Sequence, residues 1–171
     1  MEIVQGYATI TDVTKFIEKL DAIGSAHELT AQAFDARYVA DRAHLRRAVD
    51  LATRALARGE SIADDRGVEI LLYAAGRRQI NRAMEMGIST GECPVVAVVV
   101  DCDEHEWAGD PTGEKSRPVT DAEREAAAEI AGLVTPGETL TEVSDHETLR
   151  SYFAISNREL DATAGTISDL V

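Results

Sequence analysis

The stretch Gly67 to Ala83, GVEILLYAAGRRQINRA, decides how this chain is read. Val68 to Tyr73 is apolar throughout except for Glu69, the pattern of a strand covered on both faces. A turn at Ala75-Gly76 follows. The residues after it predict a helix to about Met86, with Ile80, Ala83 and Met84 turned inward and Arg77, Arg78 and Arg82 at its start. First-turn N–H groups and guanidinium groups would then converge on one spot, which suits an anion.

Working outward, Ile3 to Ile10 reads as a strand, and Val13, Phe16, Ile17 and Leu20 recur at helical spacing behind Asp12. Leu29 to Ala36 predicts a second strand, with Ala31 and Ala33 on one face and Phe34 on the other. From about Val39 to Arg58, the positions Leu45, Val49, Ala52 and Leu56 make one apolar stripe, and Gly59 stops the helix. Arg42 with Arg46, and Arg47 with Arg54 and Arg58, form two basic rows off that stripe. Pro94 to Asp101 is continuously apolar and predicts a central strand. An acidic loop follows, containing Gly109, Pro111, Gly113 and Pro118. Helices are expected over Thr120 to Ala131, Asp145 to Phe153 and Asn157 to Val171, the first opened by a Thr120/Glu123 capping box. Together these elements predict an α/β (α+β) fold. It would be a single compact domain over residues 1–171, with a small mixed sheet of about four strands flanked by helices and a helical C-terminal part.

The chain of 171 residues carries a formal charge of -14, unevenly spread. Residues 33–83 hold seven acidic and ten basic side chains, whereas residues 101–171 hold seventeen acidic and five basic. A positive island sits inside an acidic chain. Lys15, Lys19 and Lys115 are the only lysines, and the balance resembles that of proteins from salt-loving organisms, where carboxylates keep the surface hydrated. Neither a signal segment nor a membrane span is expected, because the longest apolar run, Val95 to Val100, falls far short of the roughly 20 residues needed. A soluble, cytoplasmic protein is the expectation. Cys93 and Cys102 bracket a strand that would hold them roughly 30 Å apart, too far for a disulfide.

No GxSxG elbow, GxxxxGK[ST] loop, HExxH or GxGxxG after a strand occurs, so no catalytic residues are assigned. His105 among Asp101, Asp103, Glu104 and Glu106 invites a metal, but such a loop is the common form of a solvated surface, and no metal site or cofactor is expected. His44 reads as a helix-surface or half-buried residue. The candidate site is the island's junction, Gly76, Arg77, Arg78, Gln79 and Ile80. Two uses of it stay open from the residues alone: fork-like hydrogen bonds to a phosphate, or pairing with the chain's own carboxylates. In molar salt the screening length is about 3 Å, so any nucleic acid would have to be recognised at contact, by arginine hydrogen bonds, stacking and apolar touches from residues such as Ile80 and Tyr73.

AFDARYVADRAHLRRAVDLATRALARGESIA (Ala33 to Ala63), GVEILLYAAGRRQINRAM (Gly67 to Met84), GISTGECPVVAVVVD (Gly87 to Asp101) and, less distinctly, SNRELDATAGTISDLV (Ser156 to Val171) together resemble the small Cgi-type subunit of the KEOPS complex, the family of the PRPK-binding protein. The resemblance implies a non-catalytic subunit that binds the kinase-like ATPase subunit of KEOPS. In archaeal members it further implies recruitment of tRNA by its single-stranded 3′ CCA end for threonylcarbamoyladenosine synthesis. Gly76, Arg77, Arg78, Gln79 and Ile80 would meet the tRNA, with Arg54 or Arg58 in support if the long helix packs alongside. Leu160, Ile167 and Leu170 would contribute to the kinase interface; packing on the chain's own sheet is the competing use. The chain departs from the family in its acidic tail and in stopping at Val171. Two other readings are a kinase adaptor that does not touch RNA and a small α/β domain that uses the basic junction for a phosphorylated metabolite. In the leading reading no small-molecule substrate and no membrane partner are expected.

Overall fold

The computed structural model describes residues 1–103, 118–142, 146–162 and 167. The acidic loop around His105 therefore lies outside the described residues, as does Leu170.

Strand β1 (Glu2–Ile10) leads into helix α1 (Val13–Ala26), capped by Asp12, whose carboxylate accepts from the Lys15 N–H at 3.1 Å. Next come β2 (Thr30–Asp35) and α2 (Arg42–Arg58), the latter opened by Asp41 and closed by Gly59 in the left-handed conformation. After α3 (Arg66–Ala74) and the single turn α4 (Ile80–Ala83), β3 (Gly91–Val100) returns through the sheet. The chain ends with α5 (Asp121–Ala131), β4 (Thr135–Pro136), α6 (Thr139–Glu142), α7 (His146–Phe153) and α8 (Asn157–Ala162).

The sheet order is β2-β3-β1-β4, and every pairing is antiparallel, where a mixed sheet was expected. Register is fixed by pairs such as Glu2 with Val99 and Ile10 with Gly91 on one side of β3, and Thr30 with Val100 and Asp35 with Val95 on the other. As the apolar run predicted, β3 is central. Its alternate side chains feed two cores: Val96, Val98 and Val100 face α2 and α3, whereas Cys93, Val95, Ala97 and Val99 face α1 and α5. The split of β2 into Ala31 and Ala33 on one face and Phe34 on the other also holds. The result is three layers, helices on both sides of a four-stranded sheet.

Residues 68–73 differ from the sequence expectation. They form most of α3, a nine-residue helix, rather than a strand. The cause is burial from nearly every side, between α2 and the sheet, which removes the polar face that normally announces a helix. Asp65 caps its start by accepting from the Val68 N–H at 2.8 Å. Gly67 allows close approach to β2, since a Cβ there would lie 2.9 Å from the Gln32 Oε1. Glu69, fully buried, is satisfied locally on one oxygen: its Oε2 accepts from the backbone N–H groups of Ile62 at 3.0 Å and Ala63 at 2.8 Å. That carboxylate ties the α2–α3 connection to α3. The fourth strand is instead β4, two residues that pair with Gly6 and Tyr7.

Cys93 and Cys102 are both buried and free, as expected from their separation along β3. The Thr120/Glu123 capping box is present at α5. Among the described residues no helix is long and apolar enough to cross a membrane.

Candidate functional site

Helix α3 ends in a Schellman turn. The Gly76 N–H donates to the Tyr73 carbonyl and the Arg77 N–H to the Leu72 carbonyl, both at 3.1 Å, with Gly76 at φ 58°. No helix begins at Arg77. The short α4 starts at Ile80, after Gln79, whose side chain makes no capping bond. The expected cluster of free first-turn N–H groups beside Arg77 and Arg78 is therefore absent: the Arg77 N–H is already used. These arginines instead follow the carbonyl end of α3, where positive charge is favoured by the helix dipole.

Each arginine of the loop has a different environment. Arg77 reaches across to α7, where its Nη2 donates to the Tyr152 carbonyl at 2.6 Å and its guanidinium lies 5.5 Å from the centre of the Tyr152 ring. Arg82 pairs with Glu85 at 2.9 Å on the surface, a contact worth little in water. Arg78 is exposed and makes no ion pair among the described residues. Ile80 and Met84, expected to face inward, are 42% and 47% exposed, and only Ala83 of that trio is buried. A four-residue helix cannot bury one whole face, so two large apolar side chains remain in solvent beside the arginines. An open hollow of about 420 Å³ is lined by Gly76, Arg77, Arg78, Gln79 and Arg82. A second, of about 680 Å³, shares Arg77 and Arg82 with the first and is walled by Tyr38, Tyr152, Glu85 and Glu147.

Arg54 and Arg58 do not join this loop. Helix α2 does pack on α3, but in the opposite direction: the His44 side chain near the start of α2 meets the Ala74 carbonyl at the end of α3. At 1.5 Å per residue, Arg54 and Arg58 lie about 15 and 21 Å farther along α2, toward the beginning of α3. Arg54 is paired with Asp50 at 2.5 Å, and Arg58 is exposed. The basic residue of α2 nearest the level of the junction is Arg42, at the first position of the helix, two residues before His44.

His44 is buried rather than at the helix surface. Its Nδ1 accepts from the Ala40 N–H at 3.2 Å, so the Nε2 carries the proton and donates to the Ala74 carbonyl at 2.8 Å. Phe153 meets the ring edge-on at 5.7 Å. Burial holds the imidazole pKa below its ordinary value, outweighing the opposing hydrogen bond to Ala74. His44 thus joins the start of α2, the end of α3 and α7.

On α7, Tyr152 is the residue that local sequence patterns miss. Its hydroxyl donates to the Arg82 carbonyl at 2.9 Å, and its ring packs edge-on against Tyr38 at 5.2 Å and Phe153 at 5.0 Å. Burial raises the phenol pKa despite the nearby Arg77, which keeps the hydroxyl a donor. Of the expected kinase-interface residues, Ile167 is buried with Leu149 and Ile155, and Leu160 packs against them half-buried, so both contact the chain itself. Among the described residues no group of His, Cys, Asp or Glu is placed to hold a metal ion.

A search of curated proteins finds no match to the chain. The family model described as "Kinase binding protein CGI-121" matches residues 7–171, which takes in all of the sheet but the first part of β1, both helical layers and the α3–α4 loop. With nearly the whole length matched, the chain belongs to the CGI-121 family of kinase-binding proteins.

Proposed function

We propose that this protein is a non-catalytic KEOPS subunit that binds the kinase-like ATPase subunit and recruits tRNA by its 3′ CCA end for threonylcarbamoyladenosine synthesis. Family membership supports the kinase partner. The RNA half rests on one observation: in a chain of charge -14, three arginines and the exposed side chains of Ile80 and Met84 share a single surface loop. Cations placed for phosphates and apolar surface placed for unstacked bases are the two components of single-strand recognition. The acidic composition fits a cytoplasmic protein of a salt-loving archaeon, in which such recognition works at contact.

Binding of tRNA to the protein, measured at multimolar and at moderate salt, tests the reading. Affinity should fall at least tenfold for tRNA trimmed of its CCA end and for the Arg77→Glu/Arg78→Glu variant, while the kinase subunit still co-purifies. Equal binding of trimmed and intact tRNA would refute the RNA half and leave a kinase adaptor.

A further inference from the structure

The loop that would meet RNA has little to hold its own shape. Helix α4 is a single turn of four residues without a side-chain cap, far below the length at which a helix persists unaided. Two hydrogen bonds from one residue of α7 bracket it instead. The Tyr152 carbonyl accepts from the Arg77 Nη2 at the start of the segment, and the Tyr152 hydroxyl donates to the Arg82 carbonyl at its end. Arg78, Gln79, Ile80 and Asn81 lie between the two anchors. The anchor is itself braced, since the Tyr152 ring is clamped edge-on by Tyr38 and Phe153.

We propose that Arg77 and Tyr152 act as a positioning pair that shapes the loop from α7, and that Arg78 is the arginine that contacts phosphate. This inference rests on the preceding reading of the loop as the RNA-end site. Arg77 already commits an Nη2 N–H to the Tyr152 carbonyl and its guanidinium to the Tyr152 ring, which holds it toward α7. Arg78, one residue away, has neither tie among the described residues. Two adjacent arginines with the same charge therefore do different work, one through geometry and one through charge. The RNA-binding surface consequently depends on α7 remaining docked, although α7 follows it by some seventy residues.

Charge and geometry separate in lysine variants, because lysine keeps the positive charge but loses the planar fork and the stacking face. Binding of a 3′-terminal single-stranded RNA ending in CCA is measured against salt for the wild type, Arg77→Lys, Arg77→Ala, Arg78→Lys, Arg78→Ala, Tyr152→Leu and the Arg77→Lys/Tyr152→Leu double variant. Arg77→Lys should weaken binding about two- to tenfold, the scale of losing preorganisation, with an unchanged slope of log affinity against log salt. Arg78→Lys should keep the wild-type slope and lose less affinity than Arg77→Lys, and Arg78→Ala should flatten the slope by about 0.7, one phosphate's worth for a single strand. Tyr152→Leu should mimic Arg77→Lys, and the double variant should bind no worse than the weaker single one. Near-normal binding by Arg77→Lys, or a flattened slope in Arg77→Ala, would overturn the proposal by making Arg77 a phosphate ligand. The Arg77→Lys arm stands even if Tyr152→Leu loosens α7. If wild-type binding did not require the CCA end, the site reading would fail and this inference with it; a wild type that requires the end, with the lysine variants behaving alike, would remove this inference alone.

Discussion

Lowering the pH through the range of histidine should destabilise this fold specifically at His44. In the folded chain the ring is neutral, donating from Nε2 to the Ala74 carbonyl while Nδ1 accepts from the Ala40 N–H. Protonation would place a second N–H on Nδ1, facing the Ala40 donor. Asp41 favours the charged form and Arg47 opposes it, but burial is the largest influence and holds the pKa below the ordinary value. An unfolded chain has no such constraint and takes up its proton near pH 6.5. The unfolded state therefore binds more protons below that point, so the contribution of His44 is fully present above about pH 6.5 and is lost as pH falls toward the depressed folded value. The unfolded value alone sets an upper limit on the loss between pH 7.5 and 5.5 of about 1.4 kcal/mol, or about 3 to 5 °C in Tm for a chain of this size. His44→Gln supplies the control, because glutamine can still offer an amide N–H toward Ala74 but cannot titrate. It should be less stable than wild type at pH 7.5 by about 1 to 2 kcal/mol, from the lost Nδ1 bond and ring contact. That deficit should shrink at pH 5.5, by no more than about 1.4 kcal/mol. Urea unfolding of both proteins at the two pH values gives the difference directly, with the other histidines and the carboxylates common to both. A deficit that stays constant or grows at low pH would refute the assignment of a neutral, proton-excluding His44.

Two further perturbations test the corrected α3. Glu69→Ala should destabilise by about 2 to 4 kcal/mol in urea unfolding, because the Ile62 and Ala63 N–H groups lose their acceptor; Glu69→Gln keeps an acceptor and should cost less than half as much. Gly76→Ala should cost about 1 kcal/mol in the same assay: its φ of 58° penalises a Cβ, but nothing lies within 4 Å of where that atom would be.

How much of this was legible in the sequence depends on what each segment leaves exposed. The stripe of α2 and the continuous run of β3 could be read because one alternates with polar residues at helical period and the other is a central strand long enough to be recognised. The run at 68–73 was ambiguous by the same criterion, since a short helix covered on nearly every side and a buried strand both appear as unbroken apolar residues. The better signal lay at its ends. Asp65 is a good helix cap and Gly76 a good left-handed terminator, and together they bracket an interval of helical length. Strand β4, with two residues, is too short to carry any period. At the candidate site the loop arginines were visible as a local cluster, but their brace was not: Tyr152 lies 75 residues from Arg77, and nothing near either residue announces the contact. The relation of Arg54 and Arg58 to the junction depended on the direction in which α2 packs on α3, which a single sequence does not encode locally.

The structure also changes what the positive island means. Counted along the chain, residues 33–83 carry an excess of arginine, as if they formed a field that could attract phosphate from a distance. In space much of that charge is answered at once: Arg37 forks onto Asp35, Arg54 meets Asp50, Arg66 forms two hydrogen bonds with Asp103, and Arg82 meets Glu85. Asp41 and Asp65, at the same time, serve as helix caps. Each compensated pair has a short-ranged field, and within an acidic chain little net attraction survives beyond a Debye length. Arg42, Arg46 and Arg58 on α2 are likewise exposed and without an ion pair among the described residues; the α3–α4 loop combines such an arginine, Arg78, with the exposed side chains of Ile80 and Met84. Selectivity at such a surface comes from fit at contact, which makes the shape of the loop, and hence the Tyr152 anchor on α7, as consequential as its charge.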